Sequence, residues 1–140
     1  MLGVNFSSRS DSVLEALDRS LAIIEFEPNG TILKANENFC RTLGYDLSEI
    51  VGRHHSMFVE SAETSSSEYR EFWAKLGRGD FDAREYKRIA KGGREVWIQA
   101  SYNPVKNSRG KVEKVVKVAT DITAQKVRNA EFEGKIAAIS

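Results

Sequence analysis

The sequence predicts an α+β domain in which five antiparallel strands carry helices over one face. Three observations predict it. Short strand-like segments fall into two groups, one before residue 36 and one after residue 80, joined by turns rich in Gly, Pro and Asn. Between the groups, apolar residues recur at helical spacing. Strands and helices do not alternate as βαβ, and neither a GxGxxG sequence nor a P-loop is present, which argues against a Rossmann-type nucleotide fold.

Residues Met1 to Ser10 read as a loose lead-in. A helix follows, because Ser12 and Glu15 have capping-box spacing and Val13, Leu14 and Leu17 give it an apolar side. Leu21 to Glu27 (LAIIEFE) has strand character. Pro28-Asn29-Gly30 then supplies a turn, Pro by pre-setting φ and Asn and Gly by tolerating positive φ, so Thr31 to Ala35 returns as the second strand of a hairpin. Asn36 to Leu43 places Phe39 and Leu43 on one helical face and stops at Gly44. Short turns follow around Leu47 to Ile50 and Gly52 to Phe58. Ser65 and Glu68 form a second capping-box pair, opening a helix on which Tyr69, Phe72, Trp73 and Leu76 recur as far as Gly77.

Phe81 to Ile89 begins the second group of strands and passes through Lys91-Gly92-Gly93 into Glu95 to Tyr102. Pro104 is expected to end regular pairing there. Asn107 to Gly110 is a further turn, and Val112 to Ile122 a last strand whose imperfect alternation predicts a bulge or twist. Asp121 is placed to cap a final helix, Ala124 to Ile139. On that helix Val127, Ala130, Gly134 and Ala137 form one stripe and Phe132, Ile136 and Ile139 a second, suited to the outer face of the sheet or to a partner helix. The expected organisation is a lead-in and cap helix over 1–20, the domain over 21–123 and a linker helix over 124–140, ending on KIAAIS without a C-cap signal, as a helix would that continues into a longer protein.

Composition narrows the function classes. The formal net charge is +1, with 21 basic against 20 acidic residues, and no block of like charge suggests nucleic-acid binding. The single cysteine, Cys40, leaves no internal disulfide, and no Cys/His group has zinc-ligand spacing. No signal-peptide core or membrane-spanning apolar run is present, so a cytoplasmic location without membrane contact is expected of this segment. Ser, His and Asp occur, but no nucleophile motif or paired-carboxylate pattern gathers them, and an enzyme is not expected.

The hairpin IIEFEPNGTILKAN, the helix NFCRTLGY, the following LSEIVGRHH, the strand KGGREVWIQASYNP and the closing ATDIT occur in an order and spacing that resemble the PAS family. The likeness covers roughly Leu21 to Thr123. It implies an antiparallel sheet of order 2-1-5-4-3 curled around a pocket, and N- and C-terminal flanking helices that relay a signal. FCRTLGY, GRHHSMF, the Glu71-Phe72-Trp73 word and VWIQASYNP are most similar to PAS domains of bacterial methyl-accepting chemoreceptors, both the aerotaxis type and soluble receptors with tandem PAS units. That resemblance implies a sensor of redox state, oxygen or a small ligand in chemotaxis. Its partners would be a second copy or an adjacent PAS domain, and a downstream signalling domain.

The same resemblance implies where a ligand would sit. In flavin-binding relatives the residue after the strand tryptophan faces the ligand, which points Ile98, Ala100 and Tyr102 inward and Trp97, Gln99 and Ser101 outward. Tyr86 and Arg88 on the partner strand, and Ala119 on the last, should face the same space, with His54, His55, Trp73, Phe39 and Met57 contributing from the helical side. FAD is the cofactor the resemblance favours. Haem b ligated by His55, in a gas sensor, is the alternative, and an empty pocket, in a cofactor-free dimerisation and interaction module, the third. The residues leave these open: Ala100 and Ala119 free volume for a ligand, while Tyr86 and Tyr102 are large enough to fill it. A histidine at 54 or 55 can hydrogen-bond a flavin, ligate a haem iron or bond a backbone group, the last being the commonest role of a histidine. Trp73 lines a cofactor or belongs to the apolar side of a core helix. Arg53, Arg84 and Arg88 have the donors to hold a phosphate or carboxylate, though surface arginines commonly hold neither. Cys40 lies on the helix before the turn where light-sensing PAS domains carry their flavin-reactive cysteine, and His55 occupies that place instead.

Overall fold

The computed structural model describes residues 12–139, with side chains as far as residue 133. The lead-in expected over residues 1–10 and the stripe positions Gly134, Ile136, Ala137 and Ile139 lie outside the described residues and side chains.

Strands form where side chains can alternate between an apolar and a wetted face. β1 (Ala22–Phe26) buries Ala22, Ile24 and Phe26 and leaves Ile23 and Glu25 half-buried. The Pro28-Asn29-Gly30 turn leads into β2 (Ile32–Ala35), with the Gly30 N–H donating to the Glu27 carbonyl at 2.9 Å. Glycine is required at this turn for two reasons. Its φ is +96°, and a Cβ would stand 2.6 Å from His54 Nε2. β3 (Asp82–Ile89), β4 (Glu95–Lys106) and β5 (Val112–Asp121) complete a sheet of order β2-β1-β5-β4-β3, antiparallel at every pairing. This is the order that the resemblance implied.

Helices cover one face. α2 (Glu37–Leu43), α3 (Leu47–Ile50), a 3₁₀ turn (His55–Phe58), α4 (Ser61–Thr64) and α5 (Ser67–Gly77) fill the interval between β2 and β3, and α1 (residues 12–20) and α6 (Thr123–Ile139) flank the sheet. α2 ends as expected on Gly44 in the left-handed conformation. Its start is tied to β1 by one side chain. Asn36 Oδ1 accepts from Phe39 N at 2.9 Å and Ile23 N at 3.0 Å, while Nδ2 donates to the Leu21 carbonyl at 2.8 Å.

Two local expectations are corrected. The N-cap of α5 is Ser66, whose hydroxyl accepts from Tyr69 N at 3.1 Å, and not Ser65, which closes α4. Pairing also does not stop at Pro104, which lies opposite Val115 in a ladder that runs on to Lys106. β3 ends at Asp82, opposite Tyr102, so beyond that point β4 has one neighbour and tolerates a residue without an N–H. The bulge expected in the last strand falls where Val105 pairs Lys114 and Lys106 pairs Val112.

The core lies between the inner face of the sheet and the helices. Ile24, Phe26, Ile98, Tyr102 and Val115 meet Phe39, Leu43, Ile50, Phe58 and Leu76, all at most 2% exposed. Each such side chain contributes roughly 1.5–3 kcal/mol by leaving water. On the outer face, where Trp97 was expected to point, α6 covers it: Lys126 Nζ stands 4.7 Å from its ring centroid, and the Trp97 N–H donates to Thr123 Oγ1 at 2.9 Å. Asp121 accepts from Thr123 N at 2.9 Å, fixing the exit into α6. α1 presents Leu14 and Leu17, 62% and 42% exposed, beside the half-buried Ile23, Val116 and Val118.

Because Asn36 caps α2 and clamps it to β1 together, Asn36→Ala should lower the unfolding free energy by about 2 kcal/mol in urea denaturation. A loss under about 0.5 kcal/mol would show that the other end of α2 suffices to dock it.

Candidate functional site

The 3₁₀ turn sends two adjacent histidines to opposite sides. His54 precedes it in extended conformation, bridged to Thr31, and is exposed. Its Nε2–H donates to the Asn29 carbonyl at 2.8 Å, and its Nδ1 accepts from Ser56 N at 3.0 Å. His54 therefore latches the turn to the β1–β2 hairpin and does not reach the interior, contrary to the expectation that it would face a pocket. Met57 packs against the core from the helical side and also lines a separate surface cavity with Tyr45 and Arg53.

His55 goes inward and is 0% exposed. Its Nδ1 lies 2.7 Å from the Tyr69 hydroxyl and its Nε2 2.8 Å from the Tyr102 hydroxyl. Arg88 Nη2 donates to that same Tyr102 oxygen at 3.2 Å. Tyr102, accepting from Arg88, is free to give its own proton to His55 Nε2, leaving Nδ1–H to donate to Tyr69. With the imidazole proton on Nδ1, donation runs Arg88, Tyr102, His55, Tyr69 through a neutral ring. Burial holds the His55 pKa well below the ordinary histidine value, and the charges of Arg88, Lys117 and His54 push it the same way. Burial likewise raises the Tyr69 phenol to about 12.

Lys117 is the residue that sequence reading missed. It is 1% exposed on the inner face of β5, with Nζ 4.8 Å from the Tyr102 ring centroid and 5.7 Å from that of Phe39. Burial and Arg88 depress its pKa well below the usual lysine value. The signal was available: Ala119 was placed inward, and strand parity carries Lys117 with it. A lysine in KVVKV reads as the wetted face, which is why it was passed over.

Around this chain of donors the interior is packed with rings. His55, Phe72, Trp73 and Tyr102 are in mutual contact, every pair of centroids lying 4.8–6.5 Å apart. Tyr86 joins at 5.2 Å from Tyr102, and Phe26 at 5.3 Å from His55. Phe39, Ile98, Ala100 and Ala119 are buried in the same core. Two buried donors find no partner, Trp73 Nε1 and Arg88 Nε.

A cleft of about 560 Å³ opens beside this cluster, between α5 and β3. Phe72 and Tyr86 form its walls and Arg88, 3% exposed, part of its lining. Asp82, which the sequence reading did not single out, is its other buried charge. It accepts from Lys75 at 2.9 Å, from Arg84 Nε and Nη2 at 3.0 and 2.7 Å, and from the Tyr86 hydroxyl. Burial alone would raise its pKa, but these donors outweigh burial and hold it well below the carboxylate range.

A haem or a flavin would enter this interior only by displacing bonds and rings that now fill it. Both His55 nitrogens are engaged, so iron ligation would require breaking a tyrosine bond. A flat ring system needs about 3.5 Å to the atoms on each face, roughly 7 Å between flanking rings, more than separates any two of the four central rings.

A sequence profile described as PAS domain matches residues 20–124. The chain is 44% identical over 127 residues to the biofilm dispersion protein BdlA of Pseudomonas aeruginosa, a match covering 91% of this chain and 30% of that protein. It is 25% identical over 125 residues to the oxygen sensor protein DosP of Escherichia coli, covering 89% of this chain and 15% of DosP. The chain thus spans less than a third of either relative. Among solved structures, an RNA-binding light-oxygen-voltage receptor superposes with a TM-score of 0.72 at 22% identity, over 95% of this chain and 38% of that one. At that identity the likeness speaks for the fold.

Two outcomes follow from the buried titratable groups. His55 is held neutral in the fold but protonates freely when unfolded, so the unfolded chain binds the extra proton below about pH 6.5. Stability should be full above that pH and fall by up to about 1.4 kcal/mol per pH unit below it. This decline should shrink in His55→Gln when urea midpoints are compared from pH 7.5 to 5. Lys117→Met removes a desolvated amine while keeping its volume, and should raise the unfolding free energy at pH 7 by at least about 1 kcal/mol. A fall instead would assign the amine a partner it needs.

Proposed function

This chain belongs to the PAS domain family, and we propose that it is the input module of a chemotaxis-type signalling protein that answers to a small ligand. The observation that supports this most is that Arg88 is shared between the α5–β3 cleft and the buried donor chain. A ligand that changed how Arg88 is held would change the bond to Tyr102, and with it His55 and Tyr69. Those four residues join β3, β4, the 3₁₀ turn and α5. Tyr102 lies on the strand whose Trp97 holds the start of α6, so the change has a packed route to the flanking helix. A signal then requires only that the ligand favour one of two packings. BdlA by name acts in biofilm dispersion and DosP by name senses oxygen, which accords with an input role.

On this reading the domain binds and relays without catalysing a reaction. It acts in the cytoplasm, paired with a second copy or an adjacent PAS domain and joined to a downstream output domain. Among the described residues no helix is long and apolar enough to cross a membrane. A flavin-based redox sensor is the second reading. One observation favours it: the buried, unpartnered indole N–H of Trp73, on the helix where the resemblance placed a flavin contact.

An absorption spectrum separates the two. After incubation with FAD and, separately, haemin, followed by desalting, the ligand-sensor reading expects no stoichiometric flavin or Soret band. A one-to-one flavin band that is lost in Trp73→Phe would replace it with the redox reading. In the parent protein, Tyr102→Phe should shift the resting output. Unchanged output from a folded variant would remove the donor chain from the signal path.

A further inference from the structure

We infer that Asn29 is a modification site: its side-chain amide is attacked by the backbone nitrogen of Gly30, and the His54 latch governs how often. The site lies apart from the buried donor chain and the α5–β3 cleft, and its chemistry is independent of the ligand-sensor reading above. Asn29 is exposed at the tip of the β1–β2 hairpin. The residue after it is a glycine, whose nitrogen has no β-carbon beside it to hinder an attack. Packing keeps that glycine there, since a Cβ at position 30 would stand 2.6 Å from His54 Nε2.

The reaction needs only water and a solvent base. The Gly30 nitrogen gives its proton to the base and bonds to Asn29 Cγ, while the Cγ–Nδ2 bond breaks and ammonia leaves. Water then opens the resulting cyclic imide at one of its two carbonyls, giving aspartate or isoaspartate at position 29. Two features of the turn act on this step in opposite senses. Thr31 N–H donates to Asn29 Oδ1 at 2.9 Å, where negative charge develops as Cγ is attacked, and so favours it. The attacking nitrogen, however, is restrained. The Asn29 carbonyl and the Gly30 N–H belong to one planar peptide unit, which must turn to bring the nitrogen onto Cγ. That unit is pinned on both sides: its N–H donates to the Glu27 carbonyl at 2.9 Å, and its carbonyl accepts from His54 Nε2 at 2.8 Å. Releasing His54 frees one side. Isoaspartate in turn lengthens the main chain by one atom and takes the Asn29 carbonyl out of it. The latch then no longer ties the hairpin backbone to the 3₁₀ turn that carries His55.

Incubation of the 140-residue chain in mildly alkaline buffer tests this, read by peptide mapping with mass spectrometry and by enzymatic methylation of isoaspartate. Asn107, followed by a serine in the turn before β5, is the internal reference. Modification should appear at position 29, at least about tenfold more slowly than in the same chain unfolded in urea. His54→Ala should raise the rate at 29 relative to Asn107 by about fivefold, the factor that one hydrogen bond is worth. Asn36→Ala, which loosens the fold elsewhere, should leave that ratio unchanged. The proposal is overturned if position 29 stays unmodified in His54→Ala, or if the ratio there equals that of the wild type. It is equally overturned if Asn36→Ala raises the ratio as much, or if the folded wild type reacts at 29 as fast as the unfolded chain.

Discussion

The interior of this domain is organised by one desolvated imidazole. His55 is buried with a hydroxyl on each nitrogen, Tyr69 from α5 and Tyr102 from β4. A neutral histidine needs one donor and one acceptor, and an unpaired buried nitrogen is costly, so the ring fixes the distance between α5 and β4. The aromatic packing follows from that separation: Phe72 and Trp73, on the same helix as Tyr69, are brought within 4.8 and 6.5 Å of the Tyr102 ring.

The same bond explains why the interior holds positive charge. Tyr102 accepts from Arg88 through its oxygen, and its ring lies beneath the desolvated Lys117 amine. Arg88 stays a cation and directs its charge outward to the cleft, whereas Lys117 has no outlet and is driven towards the neutral amine. A core with this arrangement is tuned less for stability than a wholly apolar one would be. Its polar members are linked in series, from Arg88 through Tyr102 and His55 to Tyr69.

Much of the architecture was legible in one dimension. The Pro28-Asn29-Gly30 turn, Gly44, the Lys91-Gly92-Gly93 turn and the alternation of Glu95 to Tyr102 each act over a few residues, and local chemistry suffices to read them. Errors arose where a neighbour decided. Pro104 breaks a strand only if that strand has partners on both sides, and β3 had already ended. Ser65 and Ser66 are equally good caps in sequence, and the short α4 takes the first.

The strand period of two, read from the sequence itself, divided β4 and its neighbours into two sets of side chains, and the resemblance to flavin-binding relatives said which set, with Tyr86 and Arg88, would face inward. Only the tertiary structure decided which of two adjacent histidines enters the core. It also decided whether Tyr102 would line a space or fill one, since both depend on a tyrosine hydroxyl brought from another element. Tyr69 is 14 residues from His55 and Tyr102 is 47. Nothing local to the GRHH turn specifies those partners; the sheet and α5 bring them there.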